Sequence, residues 1–425
     1  MEPVSVSVES PSTAASRRHP DTGRATGGLE EALRAVGTAA GLSAVGFTTA
    51  EVLEPARSVL TPRREAGLSG SMQFTYRNPD RSTDPGRLFR GVRSLVVGVA
   101  PYPADVPAPP SVGHPARVAR YSAGHAYGRL HRGLAAVADR LRGHGHRTVT
   151  VADDNALVDR NAAWRAGLGW WGKNTNLLTP DHGSFVVIGA VATDAVLTPS
   201  GPPRPDGCGP CEACLDGCPT GALIAPGVLD ARRCIAWLVQ AAEPIPAELR
   251  PAIGDRIYGC DICQEVCPAT PRTDGTRPAA DPARRGVDAG EPTAEGGTVG
   301  GGSTGGGTAA EAWVEVEWIL AASNKDILGR YGHWYLAGRD PDVVRRTALV
   351  ILGNTAAPEA PGVELIVRRH LRHPNPLIRS HALWAARRLG YDHLAAPLTT
   401  DDDPMVRAEW AHRVERRPDL QRSHP

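Results

Sequence analysis

An α/β (α+β) domain, then a small cysteine-rich domain, then an all-α tail is the fold class that this 425-residue sequence predicts. Three observations predict it. Helix-like and strand-like segments alternate from residue 28 to 200. All eight cysteines fall between Cys208 and Cys267. Helical periodicity alone runs through residues 312–420. The length suits two or three domains better than one core.

Residues 1–27 are rich in Ser, Thr, Pro and Ala and lack an apolar stretch, which predicts a disordered leader rather than a signal peptide. Residues 29–36 have helical spacing and lead to a short apolar strand at 44–47. Residues 94–100 form a continuous apolar run stopped by Pro101, as a strand buried on both faces requires. A helix is predicted over 127–143 and a strand over 147–151. Residues 155–167 predict a second helix, with Asp or Asn as its cap and Gly at its stop. Residues 184–191 give a further strand, so that 28–200 read as an α/β domain around a mixed sheet.

The cysteines carry the chemistry. Cys208, Cys211, Cys214 and Cys218 follow C-x-x-C-x-x-C-x-x-x-C-P, Cys234 stands alone, and Cys260, Cys263 and Cys267 follow C-x-x-C-x-x-x-C-P. Eight thiolates satisfy two [4Fe–4S] clusters, and in bacterial ferredoxin spacing the fourth cysteine of the run ligates the other cluster. By that pseudo-symmetry Cys208, Cys211, Cys214 and Cys267 hold the first cluster. Cys218, Cys234, Cys260 and Cys263 hold the second. Pro219 and Pro268 end each cluster loop. Disulfides do not suit thiols this closely spaced in a chain without a secretory signal. Zinc sites share the C-x-x-C pairs but leave the longer run unexplained. Residues 201–272 therefore read as a ferredoxin-like domain that carries electrons, suited to the reducing cytoplasm.

Residues 273–311 are dense in Gly, Asp, Thr, Ala and Pro and read as a flexible linker. In the tail, Val344-Arg345, Ile378-Arg379 and Val406-Arg407 open three related helical segments, the mark of a HEAT-like repeat domain over 312–420. An ordinary helical bundle would give similar spacing. Arg345, Arg346, Arg368, Arg369, Arg379, Arg387 and Arg388 are candidates for phosphate contacts, although solvated helix faces explain single arginines as well. The balance of 47 Lys and Arg against 46 Asp and Glu excludes nucleic-acid binding by bulk charge. No run is long enough to span a membrane.

Two further motifs select a reaction. Gly167, Gly169, Trp170, Trp171, Gly172 and Lys173 form a loop suited to lying against a large flat ligand, or a plain turn. Asp153, Asp154 and Asn155 stand at a strand end, where α/β folds place catalytic carboxylates. On those residues alone a helix cap is the simpler explanation.

The stretch from Cys208 to Ala222, Asp230 with Cys234, and Arg256, Tyr258, Gly259, Cys260, Asp261, Cys263 and Gln264 resemble the epoxyqueuosine reductase family. So does the loop from Gly167 to Thr175, followed by Gly183, Ser184 and Phe185. The resemblance covers residues 28–272 and extends to the HEAT-like tail. It implies a cobalamin-dependent oxidoreductase that reduces epoxyqueuosine to queuosine at the wobble position of tRNA. It makes 28–200 the cobalamin-binding catalytic domain and the tail the tRNA contact, separable from the clusters. It implies two [4Fe–4S] clusters that feed cobalamin, reduced in turn by a flavodoxin or ferredoxin. Asp153 falls on the family's proton donor, and Asp153, Gly172, Lys173, Asp261 and Ile262 fall on its cobalamin contacts. A cytoplasmic monomer, with no membrane partner, is expected.

One segment departs from the family. Its Gly-Arg-Asp-Tyr-His element is here Gly124, His125, Ala126, Tyr127 and Gly128, which keeps the tyrosine and loses the acid and the following histidine. Two alternatives remain open on sequence: a reductive dehalogenase-like cobalamin enzyme acting on a small molecule, and an iron–sulfur electron-transfer protein.

Overall fold

The computed structural model describes residues 26–103, 106–111, 113–270 and 312–416. The predicted linker lies outside them, and so does the predicted leader apart from its last two residues, which already belong to the first helix. Seven strands organise the molecule: β1 Ala44–Thr49, β2 Ser94–Pro101, β3 Pro115–Val118, β4 Thr148–Ala152, β5 Val186–Thr193, β6 Arg256–Tyr258 and β7 Trp313–Glu315. The principal helices are α1 Thr26–Ala39, α2 Glu54–Glu65, α3 Ala126–Gly143 and α4 Asp159–Arg165. In the tail they are α5 Val316–Ala321, α6 Asn324–Tyr331, α7 Asp342–Thr355, α8 Val363–His370, α9 Pro376–Arg388 and α10 Pro404–Ala411.

The first sheet has the order β1-β2-β5-β4, and every neighbouring pair is antiparallel. The mixed sheet expected from sequence is not there. Alternation of helix and strand reports layers, whereas strand direction depends on which ends the connections join. The continuous run of β2 does lie at the centre, buried on both faces as predicted. Val96 and Ala100 face α1 and α3 with Leu33, Leu130, Leu134 and Val137. Leu95, Val97 and Val99 face the other way, toward Leu53, Ala162 and Ala163. Gly133 of α3 is required by this contact, because a Cβ there would fall 2.3 Å from Leu42 Cγ.

The helix predicted over 155–167 begins four residues late, at Asp159, and has no side-chain cap. Asp153 has a φ of 52°, and Asp154 Oδ1 accepts the Ala156 amide at 2.7 Å in a local turn. These residues bend the chain instead of capping a helix. The stop is as read: Gly167, at φ 73°, closes α4.

The second sheet is mixed. β6 runs parallel to β3, and β7 antiparallel on its other side. The tail is thus not helical from residue 312. Trp313 and Val314 are buried, and Arg117 of β3 lies 5.1 Å over the Trp313 ring. Nor is the tail separate. One core joins Ala116 and Val118, then Ile235, Val239, Ile245, Ile253, Ile257 and Tyr258, to the interior of α5 through α10. A sequence pattern of local helices carries no sign of this long-range burial.

The three related segments fall on α7, α9 and α10, which stack in that order. Val344, Ile378 and Val406 occupy matching buried positions. Their arginines are structural. Arg345 donates to Asp342 Oδ1 at 2.8 Å and to the Ala322 carbonyl at 2.7 Å. Arg379 pairs both carboxylate oxygens of Asp401, at 2.8 and 2.7 Å. Arg346 has no exposed surface, and Arg387 lies over Trp410 while donating to the carbonyls of Trp410 and His412. Of the seven arginines named from sequence, Arg368 and Arg369 stand on the exposed side of α8.

A buried ion pair ties the far end of the tail down: Arg250 Nη1 and Nη2 bond Glu409 Oε1 and Oε2 at 2.7 and 2.8 Å. Removing one partner strands the other charge in a low-dielectric interior. Glu409→Ala is therefore expected to cost about 3–5 kcal/mol of stability, read by denaturant unfolding of the full chain. A loss below about 1 kcal/mol, the worth of an exposed pair, would show that this pair is solvated.

Candidate active site and cluster-binding segment

Three short stretches present the cysteines. Cys208 to Cys218 wrap around the single helical turn Ala213–Asp216. Cys234 precedes the turn Ile235–Leu238. Gly259, at φ 69°, swings the chain off β6 into Cys260, and Cys263 lies in the turn Ile262–Glu265 ahead of Cys267. The eight thiols form no disulfide. Among the described residues no three His, Cys, Asp or Glu side chains converge on one point as a single ion demands.

Their mutual electrostatics fall into two sets. Burial raises the Cys214 thiol, and so do Cys267, Cys208 and Cys211. Burial also raises Cys267, with Cys208 and Cys211 adding to it. On the other side burial raises Cys263, followed by Cys260, Cys234 and Cys218. Cys260 is pushed up to about 12, chiefly by burial. Cys214 is also felt at Cys263, so the two sets adjoin. Cys218 differs. Burial works against its thiolate, but hydrogen bonds from Thr220 and from the backbone at Thr220, Ala222 and Leu223 outweigh it and lower the thiol. The Ala222 amide lies 3.3 Å from its sulfur. Donors of this kind tune clusters by stabilising charge on sulfur.

Asp153 follows the last residue of β4 directly. It is reached by solvent yet surrounded by enough protein that burial raises its carboxyl, with Asp154 adding repulsion and His131 opposing it. Burial raises the Tyr127 hydroxyl, followed by Asp153 and Asp159. Tyr121 and Tyr258 are raised by burial first, and both also feel Asp153. The charge of Arg160 is felt at Tyr127, Tyr102 and Asp159, and at Cys234 of the cluster segment. Tyr127 thus feels Asp153, Asp159 and Arg160 together, and the charge of Arg160 also reaches Cys234 of the second set of thiols. A separate cavity of about 370 Å³, lined by Pro107, Pro115, Trp313 and Arg330 among others, contains none of these residues.

The residues expected to meet a cofactor divide. Asp261 is buried; its Oδ2 accepts the Arg120 amide at 2.8 Å and Arg120 Nη1 at 3.4 Å, and its Oδ1 has no partner. Ile262 beside it is partly buried. Lys173 Nζ lies 3.6 Å from Glu212 Oε1, and Asn174 Nδ2 donates to the Cys263 carbonyl at 3.3 Å, so the loop is stapled to the cluster segment. The glycines of that loop serve the loop itself. A Cβ on Gly172 would fall 2.4 Å from Asn174 Oδ1, and one on Gly169 would fall 2.2 Å from the Leu178 carbonyl oxygen. Trp170 is buried against Gly207, beneath the first cysteine loop, and is not a ligand platform. Asp159, Arg160 and His131 were not singled out from sequence, and Tyr258 was named only within the cysteine motif. Only the acidic–basic pair at 159 and 160, so soon after Asp153, could have drawn attention to the first two.

Comparison with known proteins fits this arrangement. Residues 207–270 match the 4Fe-4S double cluster binding domain. Epoxyqueuosine reductase of Bacillus subtilis (strain 168) is 30% identical over 370 residues, covering 85% of this chain and 88% of the relative. That of Pseudomonas aeruginosa is 31% identical over 371 residues, covering 85% and 95%. A crystal structure of epoxyqueuosine reductase with an epoxyqueuosine-modified tRNA-Tyr stem loop superposes with a TM-score of 0.75 at 28% identity, over 91% of this chain and 97% of that one. A Bacillus subtilis structure whose catalytic aspartate loop is swung out of the active site gives 0.74 at 28% identity, over 91% and 98%. Two sets of thiols, an aspartate at the end of β4 and likeness over nearly the whole length lead to one conclusion: the chain belongs to the epoxyqueuosine reductase family.

Proposed function

We propose that this enzyme reduces epoxyqueuosine in tRNA to queuosine, with bound cobalamin, two [4Fe–4S] clusters and Asp153 as proton donor. One observation carries the reading: buried Asp261, with an unpartnered Oδ1, lies between Cys260 and Cys263, and the loop of Gly172 and Lys173 is stapled beside it through Asn174 and the Cys263 carbonyl. Taking an epoxide to an alkene consumes two electrons and two protons and releases water. The chain must therefore deliver electrons from one side and protons from the other.

The donor set fits both cofactors. Eight thiols in two adjoining sets suit two cubanes, the first on Cys208, Cys211, Cys214 and Cys267 and the second on Cys218, Cys234, Cys260 and Cys263. The unpartnered Oδ1 of buried Asp261, between two ligands of the second set, lacks the hydrogen bond that a bound group would supply. Asp261, Ile262, Gly172 and Lys173 would hold cobalamin, and Asp153 would face it. When bound, cobalamin supplies a low-potential cobalt that passes electrons to the substrate carbon.

The rest falls to side chains of this chain. Cys211 is exposed, so a flavodoxin or ferredoxin reaches the first cluster at the surface. Asp153 gives its proton to the departing epoxide oxygen, and its raised carboxyl keeps that proton available nearer neutral pH. Tyr127 and Tyr121 remain neutral and able to donate hydrogen bonds beside it. The exposed bend at Asp153 lies in a backbone conformation that few residues tolerate, which suits a loop able to move. A relative was solved with its catalytic aspartate loop swung out. Residues 28–200 act as the catalytic domain, 201–272 as the wire and 312–420 as a HEAT-like tRNA platform. The test is mass spectrometry of tRNA nucleosides after deletion of the gene. Epoxyqueuosine is expected to accumulate in place of queuosine, and an unchanged queuosine level would reject the function.

A further inference from the structure

The loop between Cys234 and β6 has little structure of its own beyond single helical turns at Ile235–Leu238, Ala247–Leu249 and Arg250–Ile253. Its backbone is satisfied from the tail. Arg346 of α7 donates to the carbonyls of Leu238 and Ala241 at 2.7 and 2.8 Å, and to that of Glu243. Nε2 of fully buried His381, on α9, accepts the Ile245 amide at 3.2 Å, while its Nδ1 donates to the Leu377 carbonyl at 2.8 Å. Asn354 of α7 donates to the Arg250 carbonyl at 2.8 Å and the Gly254 carbonyl at 3.4 Å, just before β6 delivers Cys260. Glu409 of α10 grips Arg250. The Tyr258 hydroxyl, two residues from Cys260, accepts the Tyr335 amide at 2.9 Å.

A buried guanidinium bonded to carbonyls without a carboxylate is costly, and an apolar residue would serve the interior of α7 better. The cost has a purpose only in the loop it holds. Several donors in one rigid fork fix three carbonyls of a segment whose own backbone bonds are those of short turns.

We propose that α7, α9 and α10 are the positioning scaffold of the second cluster, with Arg346, His381, Asn354 and Glu409 fixing the loop that presents Cys234 and Cys260. This rests on the reading of those cysteines as ligands. The tail then serves electron delivery as well as tRNA, and it is not a separable platform. None of the four side chains is a catalytic residue; each acts through the loop.

Full-length Arg346→Met, Arg346→Lys and Asn354→Ala proteins test this. In iron-free protein, hydrogen exchange of residues 238–254 is expected to quicken at least about tenfold in Arg346→Met, with β2 and β5 unchanged. After anaerobic reconstitution its iron is expected to fall from about eight to about four per chain, with one cluster's electron paramagnetic resonance signal and potential lost. Arg346→Lys, which keeps a donor, is expected to recover part of both. Asn354→Ala removes two bonds from a partly buried site and gives a milder form of the same result, should Arg346→Met not fold. Unchanged exchange in both loop variants, or variants with eight iron and unaltered spectra and potentials, would overturn the proposal. A wild-type chain that takes up no iron would instead reject the cluster reading.

Discussion

Asp153→Asn is expected to fold, to hold both clusters and cobalamin, and to reduce epoxyqueuosine about 10²–10⁴-fold more slowly than wild type, the usual loss of a positioned general acid. Asparagine keeps the shape and tolerates the left-handed backbone at φ 52°, so the change removes the transferable proton and little else. Asp154→Asn is the control. Its side chain serves the turn to the Ala156 amide, which asparagine still accepts. The pH profile supplies an independent check. The acid works only while protonated, and burial followed by Asp154 raises its carboxyl, so turnover falls as pH rises through that raised value. In Asp153→Asn this limb should vanish. Near-normal turnover by the variant would remove Asp153 from the mechanism, and an inactive Asp154→Asn would move the role to the next residue.

Cys218→Ser is the second variant with a large expected effect. Cys218 lies at the end of the first cysteine run and is felt electrostatically by Cys263 of the later run. Its loss is expected to reduce iron from about eight to about four per chain and to abolish turnover, because electrons no longer pass the second cluster. The first cluster's spectrum should persist. Retention of all eight iron would show that Cys218 is not a ligand. Stoichiometric zinc without visible absorption, in the wild-type chain, would end the electron-transfer reading altogether.

The sequence was most legible where chemistry and spacing coincide. The division of the cysteines into two ligand sets is read from the ferredoxin run alone. The central strand at 94–100 was legible because both faces of β2 are apolar. Its antiparallel partners were not, since pairing is decided by residues nearly a hundred positions away, as Val97 opposite Ala190 illustrates. Asp153 was placed at a strand end correctly but read most simply as a cap, because a positive φ leaves no trace in an aspartate's neighbours. Arg346 was read as a candidate surface cation. Arginine is seldom buried, and only the carbonyls of Leu238 and Ala241, in a distant segment, reveal that this one is. Of the groups that feel Asp153, Tyr127 was legible from sequence. Tyr258 feels its charge only because the fold brings a distant segment near it.

The core that joins Ala116 and Ile245 to Val406 also dictates an order of events during synthesis. The cysteine loop leaves the ribosome well before α9 and α10 exist to receive it. At ordinary translation speeds that delay is on the order of ten seconds. During it Cys234 and Cys260 have no fixed geometry, so insertion of the second cluster is predicted to wait for the finished chain while the run from Cys208 can already close. Ribosome-stalled chains ending near residue 330 would then take up less iron than released full-length protein, and equal uptake would show that the loop needs no completed tail.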